Sequence, residues 1–165
     1  MTDTPAPGTP VPDIPVAADT DVFLTRMFAA PRDVVWRFFT EPARLAQWFG
    51  PATVHVDPGS VVVEAVAGGR WDLDMVDDAS GARFPLRARL AVVIVPEYLE
   101  GVVSADAEEG DIRDVTLRIW LHDHGDKTRM TLHQGPFAPA FRQPTIDGWT
   151  ESFHKVDDLL AAGAA

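Results

Sequence analysis

Cysteine is absent from all 165 residues. That removes disulfides, thiolate nucleophiles, zinc-cysteine sites and iron-sulfur clusters together. Basic residues are outnumbered, 14 Lys and Arg against 25 Asp and Glu, and the net charge of -11 repels nucleic acid and anionic membrane surfaces alike. No apolar run approaches the roughly 18 residues of a spanning helix, and no basic-then-apolar leader opens the chain. No membrane insertion and a cytoplasmic location are therefore expected. Also missing are a Ser/His/Asp ordering, a glycine-rich phosphate loop and a carboxylate pair with turn support, so no hydrolase or nucleotide chemistry is indicated. The His-x-His of "HDHGD" (122–126) stands beside Gly125 at a hairpin tip, where a solvated turn is expected instead of a metal site. Neither a metal nor a cofactor is anticipated.

What is present fits one domain, since a chain of this length buries well over half of the surface it exposes when unfolded. Residues 1–20 carry Pro5, Pro7, Pro10, Pro12 and Pro15 and no aromatic residue, which reads as a flexible tail, and the folded domain is expected over 21–163. "DVFLTRMF" (21–28) alternates as a first strand. "APRDVVWRFF" then places Val34, Val35, Phe38 and Phe39 on one stripe at helical spacing, with Pro31 at the start. "TEPARLAQWFGP" repeats the pattern, with Thr40 as N-cap, Leu45, Trp48 and Phe49 apolar, and Gly50-Pro51 as a stop. Two short helices thus follow the first strand.

Strands come next, over 60–77 around Gly68-Gly69, then 83–95, 97–104, 115–123 and 127–135. The chain closes with "TIDGWTESFHKVDDLLAAGAA", where Asp147 is an N-cap candidate and Trp149, Phe153, Val156 and Leu160 share one face. A curved antiparallel sheet needs its concave face covered, and the last helix is the element long and apolar enough to cover it. The fold class is α+β, with a pocket where helix and sheet diverge.

The matching pieces "RMFAAPRDVVWRFFTEPARLAQWFGP" (26–51), "AGGRW" (67–71), "VPEYLEG" (95–101), "TRMTLHQ" (128–134) and "GWTESFHKVDDLL" (148–160) occur in order. In them the chain resembles the activator of heat-shock-protein ATPase-like branch of the START-like superfamily, the helix-grip group that also holds polyketide cyclases and lipid-transfer proteins. The resemblance covers most of residues 21–162. It implies a helix-grip fold, a curved antiparallel sheet wrapped around a long C-terminal helix. The segment "ATVHVDPGS" (52–60) is longer than the family's usual connection. The family name also implies a chaperone partner, which belongs to co-chaperones with a further domain.

Pairing outward from a two-residue Gly68-Gly69 turn sets Val66 opposite Trp71, Glu64 opposite Leu73 and Val62 opposite Met75. Trp71, Leu73 and Met75 then face the pocket, and Glu64 with them, as an anchor or a general base with a raised pKa. The alternatives are a one-residue slip or bulge that turns Glu64 to solvent, or a buried ion pair that holds the sheet to an arginine. On the other strands Phe84, Leu86, Ala88, Leu90 and Val92, then Val115, Leu117, Ile119 and Leu121, then Met130, Leu132 and Gln134 point inward. Gln134 is notable because an inward amide needs a partner that a ligand could supply. Trp120 and His133 read outward, Trp120 toward a homodimer contact or under the tail. Trp48 and Phe49 are expected at the mouth, where the second helix meets the grip, and Trp48, Phe49, Trp149 and Phe153 together are candidates to line the pocket.

The leading functional reading is a module that holds a small hydrophobic or aromatic molecule, contacted by Trp48, Phe49, Glu64, Trp71, Leu73, Met75, Phe84, Met130, Gln134, Trp149 and Phe153. The rivals are a cyclase-like enzyme using Glu64 to move a proton, and a chaperone-related interaction module with a solid interior.

Overall fold

The computed structural model describes residues 10–107 and 110–164. The order of elements is β1 (Val22–Phe28), α1 (Arg32–Thr40), α2 (Pro42–Trp48), β2 (Val54–Val56), a 3-10 turn (Pro58–Ser60) and β3 (Val62–Val63). There follow β4 (Trp71–Asp77), β5 (Arg83–Ile94), β6 (Tyr98–Ala105), β7 (Ile112–His124), β8 (Lys127–Gly135) and α3 (Pro139–Ala161). The strands form one antiparallel sheet in the order β1-β8-β7-β6-β5-β4-β2, with β3 paired to the start of β4. This curled sheet grips α3, so the helix-grip expectation is met.

The alternation of each strand decides what the sheet buries. Leu117, Ile119 and Leu121 of β7 pair with Gln134, Leu132 and Met130 of β8, and all six are buried. Val22 of β1 lies opposite Gln134 on the other side. In β5 a bulge between Leu90 and Val92 shifts the alternation, so Val93 is buried in the main core and Val92 packs with the outer cluster instead of facing inward as expected.

The helices begin where their prolines allow. Thr40 does not cap α2. It ends α1, donating its hydroxyl to the Trp36 carbonyl at 2.9 Å, and the cap is Glu41 in extended conformation because Pro42 follows it. Asp147 does not cap α3 either. That helix starts eight residues earlier and runs through Pro144, leaving Asp147 inside it as acceptor for Gln143.

Two apolar clusters result. The main one lies between sheet and helices. A smaller one sits on the outer face, where Ile94, Tyr98 and Trp120 pack with Val92 and with Val11 from the expected tail. Trp120 donates its indole N–H to the Pro12 carbonyl at 2.7 Å. The outward tryptophan is thus covered by the stretch before β1, which here holds a defined contact where a flexible tail is expected. Residues 1–9 of that tail lie outside the described residues.

Candidate functional site

The closed end of the grip is filled with rings. Phe153 of α3 stacks on Trp48 at 5.9 Å and on Trp149 at 5.5 Å, and meets Phe28 edge-on at 5.6 Å. Trp48 in turn meets Phe39 and Phe49 at 5.0 and 5.7 Å. Such pairs add about 0.5–1.5 kcal/mol each beyond their burial. The indoles are anchored by hydrogen bonds to backbone, Trp48 to the Phe38 carbonyl and Trp71 to the Phe39 carbonyl, both at 2.8 Å.

Beyond these rings the space opens into two adjoining chambers. The inner one, about 120 Å³, is walled by Phe49, Trp71, Met75, Gln134 and Trp149, all expected there. It is completed by residues that strand and helix periodicity gave no reason to single out, among them Gly50, Pro51, Ala105, Ile112, Thr145, Gly148 and Ser152. The outer chamber, about 440 Å³, shares Pro51, Met75, Ala105, Ile112, Thr145 and Gly148 with it and adds the expected Phe84. The small residues mark the cavity: no atom stands within 4 Å of where a Cβ on Gly148 would project. Small residues at helical spacing, Thr145, Gly148 and Ser152, were the available signal.

Five of the expected contacts lie elsewhere. Trp48, Leu73, Met130 and Phe153 are fully buried in the core and line neither chamber. Glu64 is the clear correction. Val63 pairs with Trp71 and Val62 with Asp72, and the Glu64 amide donates to the Arg70 carbonyl, so Glu64 stands opposite Arg70 instead of Leu73. An odd shift of register reverses the face. The cause is a five-residue loop over 65–69 in place of a two-residue turn. Its glycines serve close approach: Gly68 and Gly69 exchange hydrogen bonds with Leu90 of β5, and a Cβ on Gly69 would fall 2.0 Å from the Glu64 carbonyl oxygen. The Glu64 side chain is half exposed and paired with the Arg70 guanidinium at 3.1 Å. The Arg70 amide and guanidinium hold its carboxyl below the usual range, the opposite of what a pocket base requires.

Gln134 does face the interior, 4 % exposed, with its carbonyl oxygen 2.8 Å from the Trp149 indole nitrogen. At the mouth, Lys155 of α3 donates to the carbonyls of Pro51 and Val54, both at 3.1 Å, and burial pushes its pKa down. Glu151 accepts from the Ala52 amide at 3.2 Å. These bonds fix the α2–β2 connection to the helix and hold the mouth in shape. On the far face of the sheet Asp21 pairs with His133, and Arg118 with Glu100. Among the described residues no group of His, Asp and Glu is placed to hold a metal ion, and no helix is long and apolar enough to cross a membrane.

The same architecture recurs in solved structures. An AHSA1 protein from Silicibacter pomeroyi superposes with a TM-score of 0.75 at 22% identity, over 86% of this chain and 98% of its own. Proteins from Nitrosomonas europaea and Mycobacterium smegmatis each match with a TM-score of 0.73 at 24% identity. The first covers 89% of this chain and 97% of its own, the second 93% and 99%. No curated protein matches. The sequence model of the Activator of Hsp90 ATPase homolog 1-like proteins fits residues 29–161, and with the fold in agreement the chain belongs to that family.

Proposed function

We propose that this domain binds a small apolar molecule of about one ring in the paired chambers between the sheet and α3. The observation that carries the reading is the inner chamber itself, walled by aromatic and aliphatic side chains with one inward amide. Its 120 Å³ is close to the roughly 150 Å³ of an apolar cavity that accepts benzene, and far short of a long acyl chain. Larger substituents would extend into the outer chamber. A cyclase-like reaction through Glu64 loses its base, because that carboxylate is paired on the other side of the hairpin. An interaction module built on a solid interior is disfavoured by the chambers.

Native mass spectrometry of freshly purified protein with solvent extraction of any bound mass is the first test. It is followed by thermal shifts with a panel of single-ring compounds and fatty acids. Binding to the folded state raises Tm with concentration, by about 2.7 kcal/mol of stability at a hundred times Kd. Ring compounds should raise Tm and long fatty acids should not. A bare protein indifferent to every member of the panel would overturn the reading.

A further inference from the structure

We infer that the molecule taken up by this cavity carries a hydrogen-bond acceptor, of the carbonyl class, directly on its ring-sized apolar part, that the side-chain amide of Gln134 receives it, and that carboxylates are turned away at the mouth. This rests on the proposed binding function and adds the polar chemistry of its ligand.

The orientation of Gln134 is settled by its neighbour. An indole nitrogen has only a hydrogen to give, so the Trp149 Nε1–H must meet an acceptor, and that places Oε1 of Gln134 on the Trp149 side. The amide nitrogen Nε2 is then directed elsewhere, with two hydrogens and no partner among the described residues. Gln134 lines the inner chamber and not the outer one. Among the described residues Nε2 is not one of the polar atoms sealed away without a partner, so it is open to the chamber, and an acceptor carried by a ligand can meet it there in place of water.

The other side-chain donors of the inner wall are already committed. Ser152 gives its hydroxyl hydrogen to the Gly148 carbonyl and Thr145 to the Phe141 carbonyl, both at 2.7 Å. The indoles of Trp71 and Trp149 donate to Phe39 and Gln134. Gln134 Nε2 is therefore the side-chain donor left for a guest. A carbonyl oxygen, with two lone pairs and no hydrogen of its own, is the neutral group best matched to it. The volume of the chamber confines the group that bears this carbonyl to about one ring.

The mouth selects against anions. Asp77, Asp106, Asp147 and Glu151 line the outer chamber, and no Lys or Arg does among the described residues. Arg113 pairs with Asp106 at 2.7 Å, which leaves three carboxylates without a cation in that pairing. The Lys155 ammonium, near Glu151, is drawn to the Pro51 and Val54 carbonyls. A carboxylate entering by this route meets like charge on a chain whose net charge is already -11.

The test compares acetophenone, ethylbenzene and benzoate, alike in size and different in polar group, by calorimetric or NMR titration at pH 7. The variants are Gln134→Leu and Gln134→Met; the second keeps the length of the side chain and a weak thioether acceptor toward Trp149 but has no hydrogen to give, and so guards against a folding defect. The ratio of acetophenone to ethylbenzene affinity should fall about tenfold in both variants relative to the parent protein. Benzoate should bind the parent protein at least about tenfold more weakly than acetophenone. A ratio unchanged by both variants overturns the role of Gln134 while leaving the cavity intact. Benzoate binding as tightly as acetophenone overturns the selection at the mouth. Failure of all three compounds on the parent protein removes the binding function itself.

Discussion

The two halves of α3 lie against the same sheet and do opposite things. Its C-terminal part sets Phe153 among Phe28, Phe39 and Trp48, and the space between helix and sheet is filled by rings. Its N-terminal part offers Thr145 and Gly148 to Ala105, Val103 and Ile112, and a chamber remains. One helix therefore makes a core at one end and a cavity at the other through side-chain volume on a single face. Divergence of helix and sheet opens the wedge, and small residues keep it open.

The comparison breaks most visibly if the packed end is emptied. Phe153→Ala should cost about 3–5 kcal/mol, read as a fall in Tm, because the ring is fully buried among aromatic neighbours that cannot all close in. A loss under about 1 kcal/mol would mean that the closed end is not the stabilising half. The reverse change fills the open end. Gly148→Leu should abolish the Tm increments given by ring compounds, while the bare protein keeps or gains stability, since glycine inside a helix is worth about 0.5–1 kcal/mol less than alanine.

A smaller effect tests the clamp on β4, the strand that supplies Trp71 and Met75 to the chamber. Asp74 on that strand joins Arg87 at 2.8 Å and Arg83 at 3.1 Å. Burial raises its pKa, but the hydrogen bonds and charges of the two arginines outweigh burial and the net shift is downward. A carboxyl held below its unfolded value of 3.8 stabilises the fold above that pH, and the contribution is lost as pH falls through the folded value. Asp74→Asn should therefore lower stability by about 1 kcal/mol at pH 7. The gap between variant and parent should close as thermal melts are taken below pH 3.8; a gap that persists in acid would assign the effect to packing. The smallest change is expected at Glu64. Outside the chambers and half exposed, it should tolerate Glu64→Gln within about 0.5 kcal/mol and with no change in ring-compound binding, as titration would show.

How much of this was legible in the sequence follows from which physical rule each feature obeys. The order of strands and helices follows from local spacing and from the prolines and glycines that punctuate it. So do the inward face of Gln134 and the outward face of Trp120, because β8, and β7 from Val115 onward, keep a two-residue period. Thr40 and Asp147 are not the caps for different reasons: a local clash with Pro42 holds Glu41 extended and makes it the cap of α2, whereas the tolerance of Pro144 inside α3 depends on what packs around it.

The sequence by itself determined the fold class, the inward stripes of β7 and β8 and the aromatic content of the closed end, since each depends on periodicity within one element. The tertiary structure decided the rest. Whether Glu64 meets Leu73 or Arg70 turns on whether the glycine loop closes in two residues or docks on Leu90, a long-range contact that no local pattern contains. Whether Gly148 faces solvent, core or cavity turns on what stands across from it, and a void is a property of two surfaces brought together. Side-chain identity sets the shape of each surface, but only their approach fixes the space between them.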